Sequence, residues 1–196
     1  MSKIFIVQNK NRSVQSENGF VLIASLVFLL VLTIFSVSMF RNFGLQEKIA
    51  GNIREKQRAF HSAQSALQFG EWFLTQGKAN SGSLCSTLLD ANAGETIVCS
   101  NELTDPTDVP WKNGSVDIGI TYVPPTTPPM AISTIGGLNT YFDVPRFYIF
   151  YLGLDSTGQS TLYQVTAMGF GGSSNGIAVV QSTYAVSTGI KDLGGL

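Results

Sequence analysis

The chain has 196 residues, 44% of them hydrophobic and 13% charged, with a formal net charge of −1. Near-neutral charge removes the electrostatic case for nucleic-acid binding, and the length leaves room for one modest domain beside a long apolar segment. The charged fraction is about half that of an average soluble protein, diluted by one apolar run and a Gly/Ser/Thr-rich C-terminal half.

Residues 1–18 are short and polar, with Lys3, Lys10 and Arg12 set against Glu17. Gly19 follows, and then an apolar run from Phe20 to Phe40 that no charge, Pro or Gly interrupts. At roughly 1.5 Å per residue a helix of this length crosses about 30 Å, the thickness of a bilayer's hydrocarbon core. Ser25, Thr33, Ser36 and Ser38 are its only polar side chains, and each hydroxyl can bond a backbone carbonyl one turn back. A helix apolar on every side at this length reads as a membrane span rather than a buried core helix. No Ala-x-Ala-like site follows the run, where Phe40-Arg-Asn-Phe43 stands instead. A cleaved secretory signal is therefore not expected, and the span is retained.

The helical pattern continues past the span. From Arg41 to Gln76 there is no proline, and Leu45, Ile49, Ile53, Phe60, Ala63, Leu67 and Gly70 or Glu71 recur at the spacing of one helix face. Gln46, Glu47, Lys48, Arg54, Glu55, Lys56, Gln57 and Arg58 form a wet face of mixed charge. Gly44 and Gly51 are the expected points of bending, and Gly77 the expected stop. Such a helix needs a cover over Phe60, Leu67, Trp72, Phe73 and Leu74.

The remainder of the chain supplies strands. Val116, Ile118, Ile120 and Tyr122 alternate with polar or small residues as in a half-buried strand. A Pro/Thr-rich loop with Pro124, Pro125, Pro128 and Pro129 follows and extends to about Asp143. Phe147–Leu152 is apolar on both faces and reads as a central strand. Thr161–Phe170 and Ile177–Val186, joined by Gly171-Gly-Ser-Ser-Asn-Gly176, read as an antiparallel hairpin. The expected fold is α+β: a long N-terminal helix, half transmembrane and half amphipathic, packed on a C-terminal antiparallel sheet. The expected divisions are 1–19, 20–40, 41–76 and 77–196. Cys85 and Cys99 lie fourteen positions apart, well beyond the span. Lacking neighbouring Cys or His, they make a poor metal site. A disulfide in an oxidising compartment suits them and stabilises by roughly 3 kcal/mol on the loop-entropy model; two unrelated free thiols are the other reading.

Catalysis has little to stand on, and no catalytic residue, cofactor or metal site is assigned. His61 is the single histidine and lies on the helix; no Gly-x-Ser-x-Gly elbow is present. Gly169–Gly176 is glycine-rich but lacks the Lys-Ser/Thr ending of a phosphate loop, so a hairpin turn is the better account. Asp105, Asp108, Asp143 and Asp155 are scattered without the spacing of a calcium loop.

A short basic leader ending in Gly19, then an aromatic residue opening an apolar helix, resembles a type IV prepilin. The stretches Gly19-Phe-Val-Leu-Ile, Leu45-Gln-Glu-Lys-Ile-Ala-Gly-Asn52 and Ala59-Phe-His-Ser-Ala-Gln-Ser-Ala-Leu67 resemble the N-terminal signature of the PilX-like minor pilins. More weakly, Pro145-Arg-Phe-Tyr-Ile, Tyr163-Gln-Val-Thr-Ala and Val179-Val-Gln-Ser-Thr-Tyr184 are similar to that family's closing strands. The resemblance implies cleavage after Gly19 by prepilin peptidase, methylation of the Phe20 amino group, and residence in the inner membrane with residues 77–196 forming a periplasmic pilin domain. It then implies extraction, helix first, into a pilus on the cell surface. Implied partners are other minor pilins, the major pilin and a pilus-tip adhesin; implied functions are priming of assembly, piliation, twitching motility and adhesion.

Most pilins carry Glu at the fifth residue after the cut, paired with the N-terminal amine of a neighbouring subunit; here that residue is Ala24. A subunit that needs no such partner suits the first position of a filament. Small side chains allow close helix approach in membranes, which nominates Ala24, Ser25, Ser36 and Ser38, with Leu45 to Gly51 continuing the contact beyond the bilayer. The basic residues conflict with this topology. Lys3, Lys10 and Arg12 precede the span, whereas Arg41, Lys48, Arg54, Lys56 and Arg58 follow it, a bias that alone places the C-terminal domain in the cytoplasm. The leader resemblance and the cysteine pair argue for the opposite side. Two alternatives are a type II secretion minor pseudopilin and an uncleaved, single-span anchored periplasmic binding domain.

Overall fold

A computed structural model describes residues 18–137 and 139–187. The leader expected over 1–19 falls outside the described residues except for its last two positions. The chain divides into two compact units, 1–49 and 50–196. In the described part of the first unit, the helix α1, Asn18–Phe73, begins; every described side chain from Gly19 to Ile49 is exposed. Its apolar window is long enough to cross a membrane. The helix is continuous through Gly44 and Gly51.

In the second unit the remainder of α1 lies on a mixed five-stranded sheet. The strands are β1 (Leu88–Asp90), β4 (Gly119–Thr121), β5 (Arg146–Leu154), β6 (Ser160–Phe170) and β7 (Ile177–Ser187), in the spatial order β1-β4-β5-β6-β7. The neighbours from β4 to β7 are antiparallel. β5 is central, as its two apolar faces require, and β6 and β7 form the hairpin that the alternation predicts. The expectation of a purely antiparallel sheet needs one correction: β1 pairs parallel to β4, with Leu88 opposite Gly119.

The strand expected over 115–122 is two strands in different sheets. β3 (Val116–Asp117) pairs with β2 (Lys112–Asn113) in a small separate ribbon, and β4 joins the main sheet. Gly119 makes the change of direction at φ 109°, and a Cβ there would stand 3.3 Å from the Trp111 ring. The alternating pattern persists across the break because Ile118 and Ile120 are both buried, in different clusters.

Residues of β5 alternate between two cores. Phe147 and Ile149 join Ala66, Phe73, Leu74, Tyr163 and Val165 on the helix side. Tyr148 joins Cys85, Cys99, Trp111, Met168 and Phe170 on the other. The helix buries part of the face its apolar residues suggest. Ala63, Gly70, Phe73 and Leu74 are covered and Leu67 packs at the margin, but Phe60 and Trp72 remain 46% and 53% exposed. Ala59, Ser62 and Ala66 are buried as well. The reason is the closeness of helix and sheet. A Cβ on Gly169 would lie 2.7 Å from the Ala59 carbonyl oxygen and 2.8 Å from Ser62 Cβ, so only short side chains fit between α1 and β6. α1 ends at Phe73, and a π-helical turn, Leu74–Lys78, closes it with Gly77 at φ 71°.

Candidate assembly surface

The apolar half of α1, long enough to cross a membrane, presents a packing surface. Ser25 Oγ donates to Leu22 O at 2.9 Å, Thr33 Oγ1 to Leu30 O at 2.7 Å and Ser36 Oγ to Leu32 O at 2.9 Å. With those hydroxyls turned back on the backbone, the surface from Phe20 to Phe40 is almost wholly hydrocarbon. Ala24 and Ser38 are exposed on the same helix. Gly19 and Phe20 are exposed at its start. Beyond the span, Leu45 and Ile49 are 65% and 50% exposed, and Gly51 has open space around it. In the second unit Ile53 and Phe60 are likewise uncovered.

Several residues of the mixed-charge stretch prove to be anchors of the fold rather than a solvated face. Glu55 accepts a hydrogen bond from Gly172 N and pairs with Arg58 at 3.1 Å. Arg58 also donates to Thr140 O and to Gly137 O, and its guanidinium lies 4.8 Å from the centre of the Tyr141 ring. Lys56 Nζ donates to Ile177 O at 3.1 Å. Farther along, Ser182 Oγ donates to Glu71 Oε1 at 2.6 Å. Sequence reasoning missed these roles because mixed charges on one face of a helix look the same whether water or a loop lies opposite. The glycine-rich Gly171–Gly176 turn thus already holds an anion, the Glu55 carboxylate, and Gly171 N donates to Gly176 O at 2.6 Å to close it.

Cys85 and Cys99 are bonded, with Cα atoms 5.4 Å apart. Cys99 lies against β5: its N–H donates to Ile149 O at 2.7 Å, and Tyr151 N donates to its carbonyl at 3.0 Å. The Asn101 side chain clasps Cys85, accepting from its N–H at 2.8 Å and donating to its carbonyl at 3.1 Å. Tyr148 Oη donates to Asn101 O at 2.8 Å, and burial pushes its phenol up to about 12. One disulfide therefore ties Cys85, ahead of the edge strand β1, to Cys99 beside the central strand β5.

The scattered aspartates serve local structure. Asp155 accepts from Thr157 Oγ1, Gln159 N and Ser160 N in the β5–β6 turn. The Thr157 hydroxyl holds its carboxyl below the usual range. Asp105 is lowered by the Thr107 hydroxyl in the same manner. Asp143 and Asp117 flank the buried Arg146 at 3.1 and 3.0 Å. His61 is exposed beside the Phe60 ring. Among the described residues no three His, Cys, Asp or Glu side chains gather as a metal site would require.

Two family models match the chain. One, described as PilX N-terminal, covers residues 18–68; the other, type IV pilus assembly protein PilX C-term, covers residues 79–186. No curated protein and no solved structure matches it.

Proposed function

The chain belongs to the PilX family of type IV pilus assembly proteins, and on that premise we propose that this minor pilin primes pilus assembly and occupies a place at or near the tip. The inner-membrane peptidase cuts after Gly19, the new Phe20 amine is methylated, and the domain beyond the span faces the periplasm. Extraction from the membrane requires a hydrocarbon surface to trade lipid for neighbouring helices, and the exposed side chains from Phe20 to Phe40 provide it. The contacts are made by Ala24, Ser25, Ser36 and Ser38, where small side chains let helices approach. Leu45 through Gly51 extends that contact.

The observation that carries the tip assignment is Ala24. A carboxylate among packed apolar helices is costly unless a cation neutralises it, so a subunit with Glu at that point depends on a neighbour's amine. Ala24 carries no such debt and suits a subunit that no earlier one precedes. Surface piliation, twitching and adhesion follow as consequences of priming.

Deleting the chain is expected to abolish or sharply reduce surface pili, and sheared fibres are expected to contain it in trace amounts, with a methylated Phe20 by mass spectrometry. Ala24→Glu is expected to increase its share along the fibre. An unprocessed Met1 terminus in cells with normal pili sinks the reading and leaves an uncleaved anchor. Normal piliation after deletion removes the priming role.

A further inference from the structure

Sheets ordinarily guard their edges with short strands, charges, prolines or bulges. One edge of this sheet follows that rule: β1 has three residues and ends at Asp90, whose carboxylate accepts from Asn92 N. The other edge does not. β7 pairs with β6 in unbroken register from Ile177↔Phe170 to Ser187↔Ser160. Its sequence, Ile177-Ala-Val-Val-Gln-Ser-Thr-Tyr-Ala-Val-Ser187, contains no charge and no proline.

The hydrogen-bond parity of this edge is fixed. Gly171 N donates to Gly176 O, and bonded pairs alternate along an antiparallel ladder. Ala178, Val180, Ser182, Tyr184 and Val186 therefore bond β6, while Ile177, Val179, Gln181, Thr183 and Ala185 turn their N–H and C=O outward. Lys56 agrees with this parity, since its ammonium bonds the outward carbonyl of Ile177. From Val179 to Ala185 the outward backbone groups have no partner among the described residues.

We infer that the outer edge of β7 is a docking site for an extended segment of a different protein, added as a sixth strand by backbone hydrogen bonding. The neighbouring pairs are antiparallel, so the added strand runs antiparallel to β7 and brings its C-terminal end beside Lys56. An acidic residue there meets the ammonium. Along the rest of the segment, apolar side chains continue the row of Val180, Tyr184 and Val186 that packs against the helix-side core. Small or polar ones continue the exposed row of Gln181, Thr183 and Ala185. A second copy of this chain fits poorly. β7 of a second copy carries no acidic residue to set beside Lys56.

The test uses the full chain in detergent micelles and a synthetic peptide of alternating valine and threonine with a C-terminal glutamate. In the chain alone, the amides of Val179, Gln181, Thr183 and Ala185 are expected to exchange with solvent faster than those of Val180, Ser182 and Tyr184. The peptide is expected to slow the outward set by about tenfold or more, and the same peptide N-methylated on its edge-facing amides is expected to leave them unchanged. Thr183→Pro removes an outward N–H and spares the β6 ladder, a substitution edge strands tolerate. It should keep the fold and lose the peptide; Gln181→Lys is a second variant expected to do the same. Outward amides already protected in the chain alone overturn the inference, as does equal binding of the methylated peptide. A dimer that Thr183→Pro dissociates also overturns it, by naming a second copy as the occupant.

Discussion

At the scale of single residues, the contact between helix and sheet is set by what is missing from Gly169. An added Cβ would meet Ala59 O, Ser62 Cβ and the Ala63 backbone nitrogen, and two of those three are main-chain atoms that cannot turn aside. Gly169→Ala is therefore expected to destabilise the full chain by about 1–3 kcal/mol, the usual range for overpacking. Gly51→Ala has open space and a gain in helix propensity of up to about 1 kcal/mol. Urea unfolding of both variants in micelles checks the pair; a neutral Gly169→Ala would remove close approach as the reason for the small-residue face. That face was hard to read in the sequence. Leu45, Ile49, Ile53 and Phe60 advertise a helix stripe by hydrophobicity, and Ala63 falls on it, whereas Ala59, Ser62 and Ala66 are chosen for size, and size matters only once the opposing strand is known.

Tyr148 gives a pH prediction at the same scale. Its phenol rises from an ordinary 10 to about 12 because burial penalises the phenolate. A raised folded value means that the neutral form is favoured by folding. The stabilisation is complete below pH 10 and is lost as pH rises through about 12. Alkaline unfolding is expected to begin in that window, with phenolate absorbance appearing as the structure melts. Tyr148→Phe cannot ionise, so its stability should depend less steeply on pH there. At neutral pH it should be weaker by about 1 kcal/mol, because Asn101 O loses its donor. An unchanged alkaline slope in Tyr148→Phe would count against this assignment.

At the scale of elements, long strands were legible as such, whereas the short ones were merged, as β3 and β4 were, or missed. β5, β6 and β7 could be read because each sets apolar side chains against a core on at least one face, so alternation or a continuous apolar run appears in the sequence. β1 escaped notice since three residues, Leu88–Asp90, are too few to show a period. Its parallel partner β4 lies some thirty residues on, a pairing that no local pattern signals. The Cys85–Cys99 bond helps to hold that region, because Cys99 continues the sheet beside β5 where β4 ends. Replacing both with serine is expected to lower stability by roughly 3 kcal/mol on the loop-entropy model. The amides of Cys99 and Tyr151 should show the largest increase in hydrogen exchange, since they carry the hydrogen bonds across this junction. A uniform loss over the whole sheet, with no excess at these two amides, would show that the bond only limits the unfolded chain.

At the scale of the whole molecule, the decisive question is which side of the membrane holds residues 50–196. The basic residues, with three before the span and five after it, favour the cytoplasm for the C-terminal side. The disulfide argues against them, because a buried Cys85–Cys99 bond is maintained in an oxidising compartment and seldom in a reducing one. Two of the five later charges also have structural work: Arg58 is held by Glu55 and the carbonyls of Gly137 and Thr140, and Lys56 by Ile177 O. Their positions thus answer to the fold as well as to insertion, which weakens a charge count as a guide to orientation. A C-terminal reporter active only in the periplasm is expected to be active, and thiol labelling of the same cells should find both cysteines blocked until a reductant is added. A silent reporter together with freely labelled cysteines reverses the topology, and with it the supply of this subunit to any fibre built on the outer side. An active reporter with free cysteines keeps the topology but removes the disulfide as its physical support, leaving the span and the family to carry it.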